Sequence, residues 1–407
     1  MTADLSASPV AETPTSAFPA PLRPGIEALE TSKIQQVWEL GFGRPDLIPL
    51  WVGESDLPTP DFICDAAIAA LKDGQTFYTH KRGLPELCQA LADSSNRLYG
   101  SRVAAEQVTV TSSGMNGIML ALQSFVNPGD KVAVVTPIWP NILSAVEIVG
   151  GQVQPVPLDN LPEGGFRLDL ARLEAALDER TCALFIASPG NPTGWVMTPQ
   201  EQRAVLALCR RRRIWLIADE VYARFIFEGP GKERGVAPSF LEISEPEDPL
   251  IVIGSFSKAW AMTGWRLGWL IHPPSMAETF DRLIEFNTSG AQAFLQQGCL
   301  AALRDGEPFV ADMVERCRRG GELVFQGLSA LPRVRIARPQ GAFYAFFGVE
   351  GMSDSLAFAK RVLQQTGVGL TPGAAFGPGG EGHLRLCFAS STSRLSQALE
   401  RLEPLLK

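Results

Sequence analysis

Histidine is scarce in this chain, with three in 407 residues, and no Cys-x-x-Cys pair occurs among its seven cysteines. Zinc-site spacing is therefore absent, and no metal is expected. The cysteines (Cys64, Cys88, Cys182, Cys209, Cys299, Cys317, Cys387) are odd in number and scattered. A reducing, cytoplasmic setting accommodates such a set most simply. No apolar run reaches the roughly 18 residues that a membrane span needs. The nearest, 132–149, is broken by Pro137, Pro140, Asn141 and Glu147. A basic surplus is missing too. Against 44 Asp+Glu there are 36 Lys+Arg, a net charge of −8 that argues against a nucleic-acid partner. Residues 1–24 are rich in Ala, Pro, Ser and Thr but lack a basic start followed by an apolar segment. That pattern reads as a floppy tail and not as a signal peptide. No internal repeat is visible.

What is present is ordinary globular material: 45% hydrophobic and 20% charged residues. Wholesale disorder is excluded, and at about 150 residues per domain the length predicts two or three domains. From about 108 to 272, short apolar runs alternate with helical patterns. The runs are Val108–Thr111, Lys131–Thr136, Cys182–Ala187, Ile214–Ala218, Leu250–Ile253 and Leu267–Ile271. They are nearly continuous in apolar residues, as strands buried on both faces should be. Met115–Phe125 and Pro199–Arg212 read as helices, the second opening on a Thr198/Glu201 capping box with Pro199 at its first position. Its basic end, Arg210–Arg213, is expected to be a solvated helix terminus. This alternation predicts an α/β fold, a mostly parallel, doubly wound sheet. After about 290 the character changes to a smaller α+β domain, with strands at 334–337, 342–347 and 384–388 and a helix near 353–366. The division expected is a tail over 1–24, a segment over 25–59 joining the small domain, a large domain over 60–290 and a small one over 291–407. The polar stretch 228–249 reads as a surface excursion.

In open α/β sheets ligands bind beyond the carboxyl ends of the strands. The first run is followed by Ser112-Ser113-Gly114-Met115-Asn116, small residues opening a helix. The second is followed by Trp139, the third by Ser188–Gly194 with Asn191, the fourth by Asp219 and Tyr222, the fifth by Ser255, Ser257 and Lys258. An anion cradle, an aromatic plate, an amide, a carboxylate with a phenol, and hydroxyls with a lysine thus stand at five successive ends. Their chemistry converges on a phosphorylated, flat, carbonyl-bearing ring. Helix-start N–H groups bind phosphate, with Ser255, Ser257 and Arg266 available to help. An amine condenses with an aldehyde, and a buried aspartate can pair with a ring nitrogen.

Three segments, SPGNPTG (188–194), DEVY (219–222) and SFSKAWAMTGWRLGW (255–269), resemble in order and spacing the class I/II pyridoxal-phosphate aminotransferases of fold type I. The likeness covers nearly the whole chain. WVGESDLPTP (51–60), Tyr78-Thr79 with GLPELCQAL (83–91), and LRLCFA (384–389) resemble further family segments. The resemblance implies pyridoxal 5'-phosphate as cofactor and Lys258 as its covalent partner and proton carrier. It implies Asp219 at the ring nitrogen, Asn191 and Tyr222 at the ring hydroxyl, and Trp139 on the ring face. Ser113, Gly114, Met115, Ser255, Ser257 and Arg266 fall at the phosphate, and Arg385 at the substrate α-carboxylate. Gly53 would let substrate pass close to the backbone. Tyr78 would reach the phosphate of a neighbouring subunit, hence an expected homodimer. His80, His272 and His383 receive no catalytic role.

Met115 departs from relatives that carry Thr, Ser or Lys there, and no arginine lies between Glu285 and Gln297, where some aspartate-specific members place one. With Ile138 and Phe343, this predicts an uncharged or hydrophobic side-chain pocket. The activity expected is amino transfer between an L-amino acid and a 2-oxo acid, without aspartate specificity. A carbon–sulfur β-lyase of the same fold would use the same lysine and aspartate. A non-catalytic cofactor-sensing regulator is a remote alternative, since only about 25 residues precede the domain.

Overall fold

The computed structural model describes residues 23–407. The tail expected over 1–24 lies outside that range apart from its last two residues. The large sheet has seven strands: β1 (Val108–Thr111), β2 (Lys131–Thr136), β3 (Gln152–Pro157), β4 (Thr181–Ala187), β5 (Trp215–Asp219), β6 (Leu250–Ser255) and β7 (Gly268–Ile271). Their order in space is β1-β7-β6-β5-β4-β2-β3. Neighbours are parallel except around β7, which runs antiparallel to both β1 and β6. The protein is an α/β molecule, and every run singled out above is a strand.

The continuous apolar character of these runs has its reason in the two-sided burial. Leu184, Leu216 and Val252 face one core, whereas Phe185, Ile217 and Ile251 face the other. β3 was not among the expected strands, and it carries Pro155 and Pro157, which disfavour a strand. It is tolerated as the sheet's outer strand, paired only with β2, where a missing N–H can face away from the ladder.

The principal helices are α1 (Asp61–Lys72), α2 (Pro85–Tyr99), α3 (Gly114–Phe125), α4 (Pro199–Arg212), α5 (Ala277–Asn287), α6 (Ala293–Asp305), α7 (Glu307–Ser329), α8 (Ser355–Thr366) and α9 (Thr392–Leu406). α3 and α5 cover one face of the sheet and α4 the other. The capping box of α4 forms: Glu201 N donates to Thr198 Oγ1 at 3.2 Å, and Thr198 N to Glu201 Oε2 at 2.7 Å. α6, which a division at 290 assigns to the small domain, packs along α1 and α2.

One surface expectation is corrected in part. Within 228–249, Val236, Ala237, Ser239 and Phe240 are at most 1% exposed. Glu220, next to Asp219, anchors this stretch by accepting from Ser239 Oγ (2.6 Å) and Phe240 N (3.0 Å). The arginines at 210–213 are exposed, as expected of a solvated helix end, and Arg210 Nε in addition donates to the buried Asp248 at 2.6 Å. Ser239 and Asp248 thus fasten the stretch to the segment after β5 and to the end of α4.

The smaller antiparallel sheet contains β8 (Val334–Arg335), β9 (Tyr344–Val349), β10 (Thr371–Pro372) and β11 (His383–Cys387), in the order β8-β9-β11-β10. Ile48–Pro49 pairs in parallel with Val368–Gly369 beside it, which carries Trp51 over the sheet's end. A Cβ at Gly369 would stand 2.1 Å from the Trp51 ring, so the indole packs directly on backbone. No helix among the described residues is long and apolar enough to cross a membrane.

Candidate active site

Strand register brings the strand-end residues together. Ala187 pairs with Asp219 and Asp219 with Ile253, so the parallel strands β4, β5 and β6 end level with one another. The segments that follow them carry Asn191, Tyr222 and Lys258 to one edge. β7 runs the other way, so its beginning lies at that edge, where Gly268 pairs with Thr111 on one side and Ser255 on the other. This reversal is what brings Arg266 beside the start of α3. Glycine is required at 268, because a Cβ would stand 2.6 Å from Gly114 N.

Between this edge and the small sheet lies a cavity of about 340 Å³, within the size range of small-molecule sites. Its wall contains Gly53, Gly114, Met115, Trp139, Asn191 and Asp219. Tyr222, Ser255, Ser257, Lys258, Arg266 and Arg385, also expected from the sequence, line it as well. Two expected residues are not in the wall. Ser113 caps α3, its Oγ accepting from Asn116 N at 3.0 Å. Tyr78 is 91% exposed on a separate surface, next to Phe77 at 83%. Phe343 is corrected as well. It is 2% exposed and packs edge-on against Tyr222 and Phe225, outside the cavity wall. Strand alternation puts its neighbour Tyr344 there instead.

Lys258 is half-buried, and its Nζ donates to Gly53 O at 2.8 Å. Burial lowers its ammonium to about 8, with Arg385 adding to the effect and Cys387, Glu54 and Asp219 opposing it. An amine so placed is a nucleophile and proton acceptor near neutral pH.

Asp219 is 9% exposed, and its Oδ1 accepts from Val221 N at 3.2 Å. Burial pushes the carboxyl from 3.8 up to about 6, against the smaller effects of Val221 N–H and Lys258. Because this acid is raised in the folded protein, it destabilises the fold at high pH and not at low pH. Moving it from 3.8 to about 6 costs roughly 3 kcal/mol above pH 6, a cost that vanishes below pH 3.8. Asp219→Asn is therefore expected to raise the thermal midpoint of the cofactor-free protein at pH 7–8 and to have no such effect near pH 3.5. Calorimetry across that range checks this; an equal gain at both ends would sink the account. A buried carboxylate kept at this cost is suited to a cationic ring nitrogen.

Arg385 is 3% exposed and has no carboxylate partner among the described residues. NH1 donates to Asn191 Oδ1 at 2.9 Å, and NH2 to Thr371 Oγ1 at 3.2 Å and to Trp51 O. Nε finds no partner. A buried guanidinium without a counter-ion is costly, and an incoming carboxylate would complete it. At the other end of the cavity, Arg266 is exposed, donates to Thr263 O at 2.6 Å and likewise has no acid partner among the described residues. It stands with the Gly114 and Met115 N–H groups and the Ser255 and Ser257 hydroxyls, a set that could hold a phosphate. The residues present therefore fit a phosphorylated, aldehyde-bearing pyridine.

Sequence reasoning missed Tyr344, Glu54, Thr263 and Ile34, all in the wall. Glu54 accepts from Thr263 Oγ1 at 3.0 Å. Ile34 belongs to a short helix, Lys33–Glu39, whose approach to the cavity no local pattern announces. Tyr344 sits in the nearly continuous apolar run 342–347, where no alternation singles it out.

The aminotransferase class I and II family profile matches residues 45–402. An aspartate aminotransferase of Thermotoga maritima is 33% identical over 89% of this chain and 92% of its own length. An arginine–pyruvate transaminase of Pseudomonas aeruginosa is also 33% identical, over 88% of this chain and 89% of its own. A solved structure of Thermus thermophilus aspartate aminotransferase with maleate superposes with a TM-score of 0.86 at 32% identity, covering 95% of this chain and all of the other. The protein with this lysine-bearing cavity belongs to the class I and II aminotransferases and is a pyridoxal 5'-phosphate-dependent enzyme.

Proposed function

We propose that the enzyme transfers the amino group of an L-amino acid with an uncharged, largely apolar side chain to a 2-oxo acid, and is not aspartate-specific. The observation that supports this is the wall itself. Beyond the polar groups already described, its residues are apolar, Ile34, Trp51, Met115, Ile118, Ile138 and Trp139 among them, and its one further charge is Glu54. The described residues of the wall include no arginine other than Arg266 and Arg385. A side-chain carboxylate would enter this space without a cation to meet it, at the cost of its hydration. Relatives named for aspartate and for arginine are about equally similar, so the wall is the better guide.

Bound pyridoxal phosphate supplies an aldehyde and a ring that withdraws electrons from the substrate Cα. The chain's residues do the rest. Gly114 and Met115 N–H, Ser255, Ser257 and Arg266 hold the phosphate. Asp219 would pair with the ring nitrogen, Asn191 and Tyr222 would hold the ring hydroxyl, and Trp139 would stack on the ring. Arg385 binds the substrate α-carboxylate and Gly53 leaves room for the substrate backbone. Lys258 Nζ would take the proton from the substrate Cα and act as its carrier. The exposed Phe77 and Tyr78 are read as packing on a second copy, whose cofactor phosphate Tyr78 would reach, so the working unit is a homodimer.

A panel of amino acids, each with pyruvate and with 2-oxoglutarate as acceptor, tests this. Apolar and aromatic donors should exceed aspartate in kcat/KM by about tenfold or more. Aspartate at the head of the panel would overturn the specificity. Pyruvate and ammonia released without an acceptor would indicate the β-lyase reaction instead. Light scattering on the eluted protein tests the dimer; a monomer that retains full activity would remove the role given to Tyr78.

A further inference from the structure

We propose that Tyr344 is a positioning residue for amino transfer, its hydroxyl orienting the Tyr222 hydroxyl and its ring face orienting the Arg385 guanidinium. Packing alone does not call for a tyrosine here, because phenylalanine would fill the same space without burying a hydroxyl. Tyr344 is 1% exposed, and the Tyr222 oxygen, 2.6 Å away, is the one hydrogen-bond partner of its hydroxyl among the described residues. Removing a phenol from water is costly unless that bond is kept. The Arg385 guanidinium carbon lies 4.5 Å from the Tyr344 ring centroid, where the negative ring face attracts a cation. Phe376 stands 5.0 Å from the same carbon, so two rings hold the fork.

Register accounts for the arrangement. Tyr344 pairs with Cys387 and Phe346 with Arg385, which makes Tyr344 and Arg385 diagonal neighbours across β9 and β11. Gly53 closes the remaining side. A Cβ there would stand 2.1 Å from the Tyr344 hydroxyl oxygen, so a residue without a side chain leaves that hydroxyl its place. One side chain thus touches both the phenol assigned to the cofactor ring and the guanidinium assigned to the carboxylate. A hydroxyl donating to Tyr222 makes Tyr222 a stronger and better-directed donor in turn.

The test compares holoenzymes on two readouts. One is the pH midpoint of the visible absorbance of the lysine-bound cofactor. The other is the Kd for 3-phenylpropionate, a carboxylate without an amino group, from absorbance titration. Tyr344→Phe keeps the ring and loses the hydroxyl. Its midpoint should rise by about half a pH unit or more and kcat fall roughly three- to tenfold, with Kd within about twofold of the parent. Tyr344→Leu should show the same rise and a Kd weaker by roughly fivefold or more. Gly53→Ala should reproduce the midpoint of the phenylalanine variant. An unmoved midpoint in Tyr344→Phe overturns the hydroxyl's part, and equal Kd values for the leucine and phenylalanine variants overturn the ring's. Tyr344→Met replaces the leucine variant if that one does not fold. The proposal rests on the role given to Tyr222, and Tyr222→Phe separates the two. If that variant leaves the midpoint in place, the assignment of Tyr222 falls, and the hydroxyl's part with it.

Discussion

Replacing Lys258 with alanine is expected to lower the rate of amino transfer by at least about 10⁴-fold, because one side chain serves as both nucleophile and proton carrier. The structure gives the reason for so large a loss. Nζ is held against Gly53 O at 2.8 Å and is half-buried, with its ammonium lowered to about 8, so no water in the site is equally basic and equally placed. Lys258→Arg should fare no better, since a guanidinium keeps its proton at every pH the protein tolerates. The fold should survive both changes, because the lysine makes a single hydrogen bond and no ion pair among the described residues. The measurement is single-turnover conversion of a good amino donor, followed by absorbance, with circular dichroism as the control for folding. A Lys258→Ala protein retaining a hundredth of the parent rate would remove the lysine from the chemistry.

The second large effect concerns Arg385. Arg385→Ala should lower kcat/KM for α-amino acids by roughly 10²- to 10³-fold, the loss typical of truncating one partner of a buried charge pair. Arg385→Lys should recover little, because a point charge cannot present two parallel donors to a carboxylate. The distinctive expectation lies in the control. An amine without a carboxylate, such as 2-phenylethylamine, is a poor donor to begin with, and its kcat/KM should change only a fewfold in either variant. Equal losses for both kinds of donor would mean that Arg385 merely supports the fold through Trp51 and Thr371. The free protein should not be destabilised in proportion, since the guanidinium is buried without a counter-ion and leaves Nε unpaired.

Much of the site could be read in the order of residues because its parts are local. An apolar run long enough for a strand, followed at once by Asp219 or by Ser255-Phe256-Ser257-Lys258, places a polar group at a strand end whatever the rest of the chain does. The capping box at Thr198 and Glu201 is likewise complete within four residues. Local patterns misled where tertiary context overrode them. The prolines of β3 argue against a strand, yet pairing on one side only makes the strand possible. Most charges between 228 and 249 do face solvent, yet Ser239, Phe240 and Asp248 tie the stretch to Glu220 and Arg210.

By itself the sequence determined the strand–helix alternation, the chemistry gathered at five strand ends and hence the family, because each of these depends on neighbours a few residues apart. Only the tertiary structure decided which groups meet across hundreds of residues. Arg385 takes its backbone acceptor from Trp51 and its amide from Asn191. Tyr344 lies between Tyr222, Gly53 and Arg385, and Phe343 faces away because successive side chains on a strand point to opposite faces. The Ser113 hydroxyl oxygen caps its own helix by accepting from Asn116 N, a contact local to four residues. The contacts of Arg385 and Tyr344 follow from strand order and register, and neither is encoded within any single stretch of the chain.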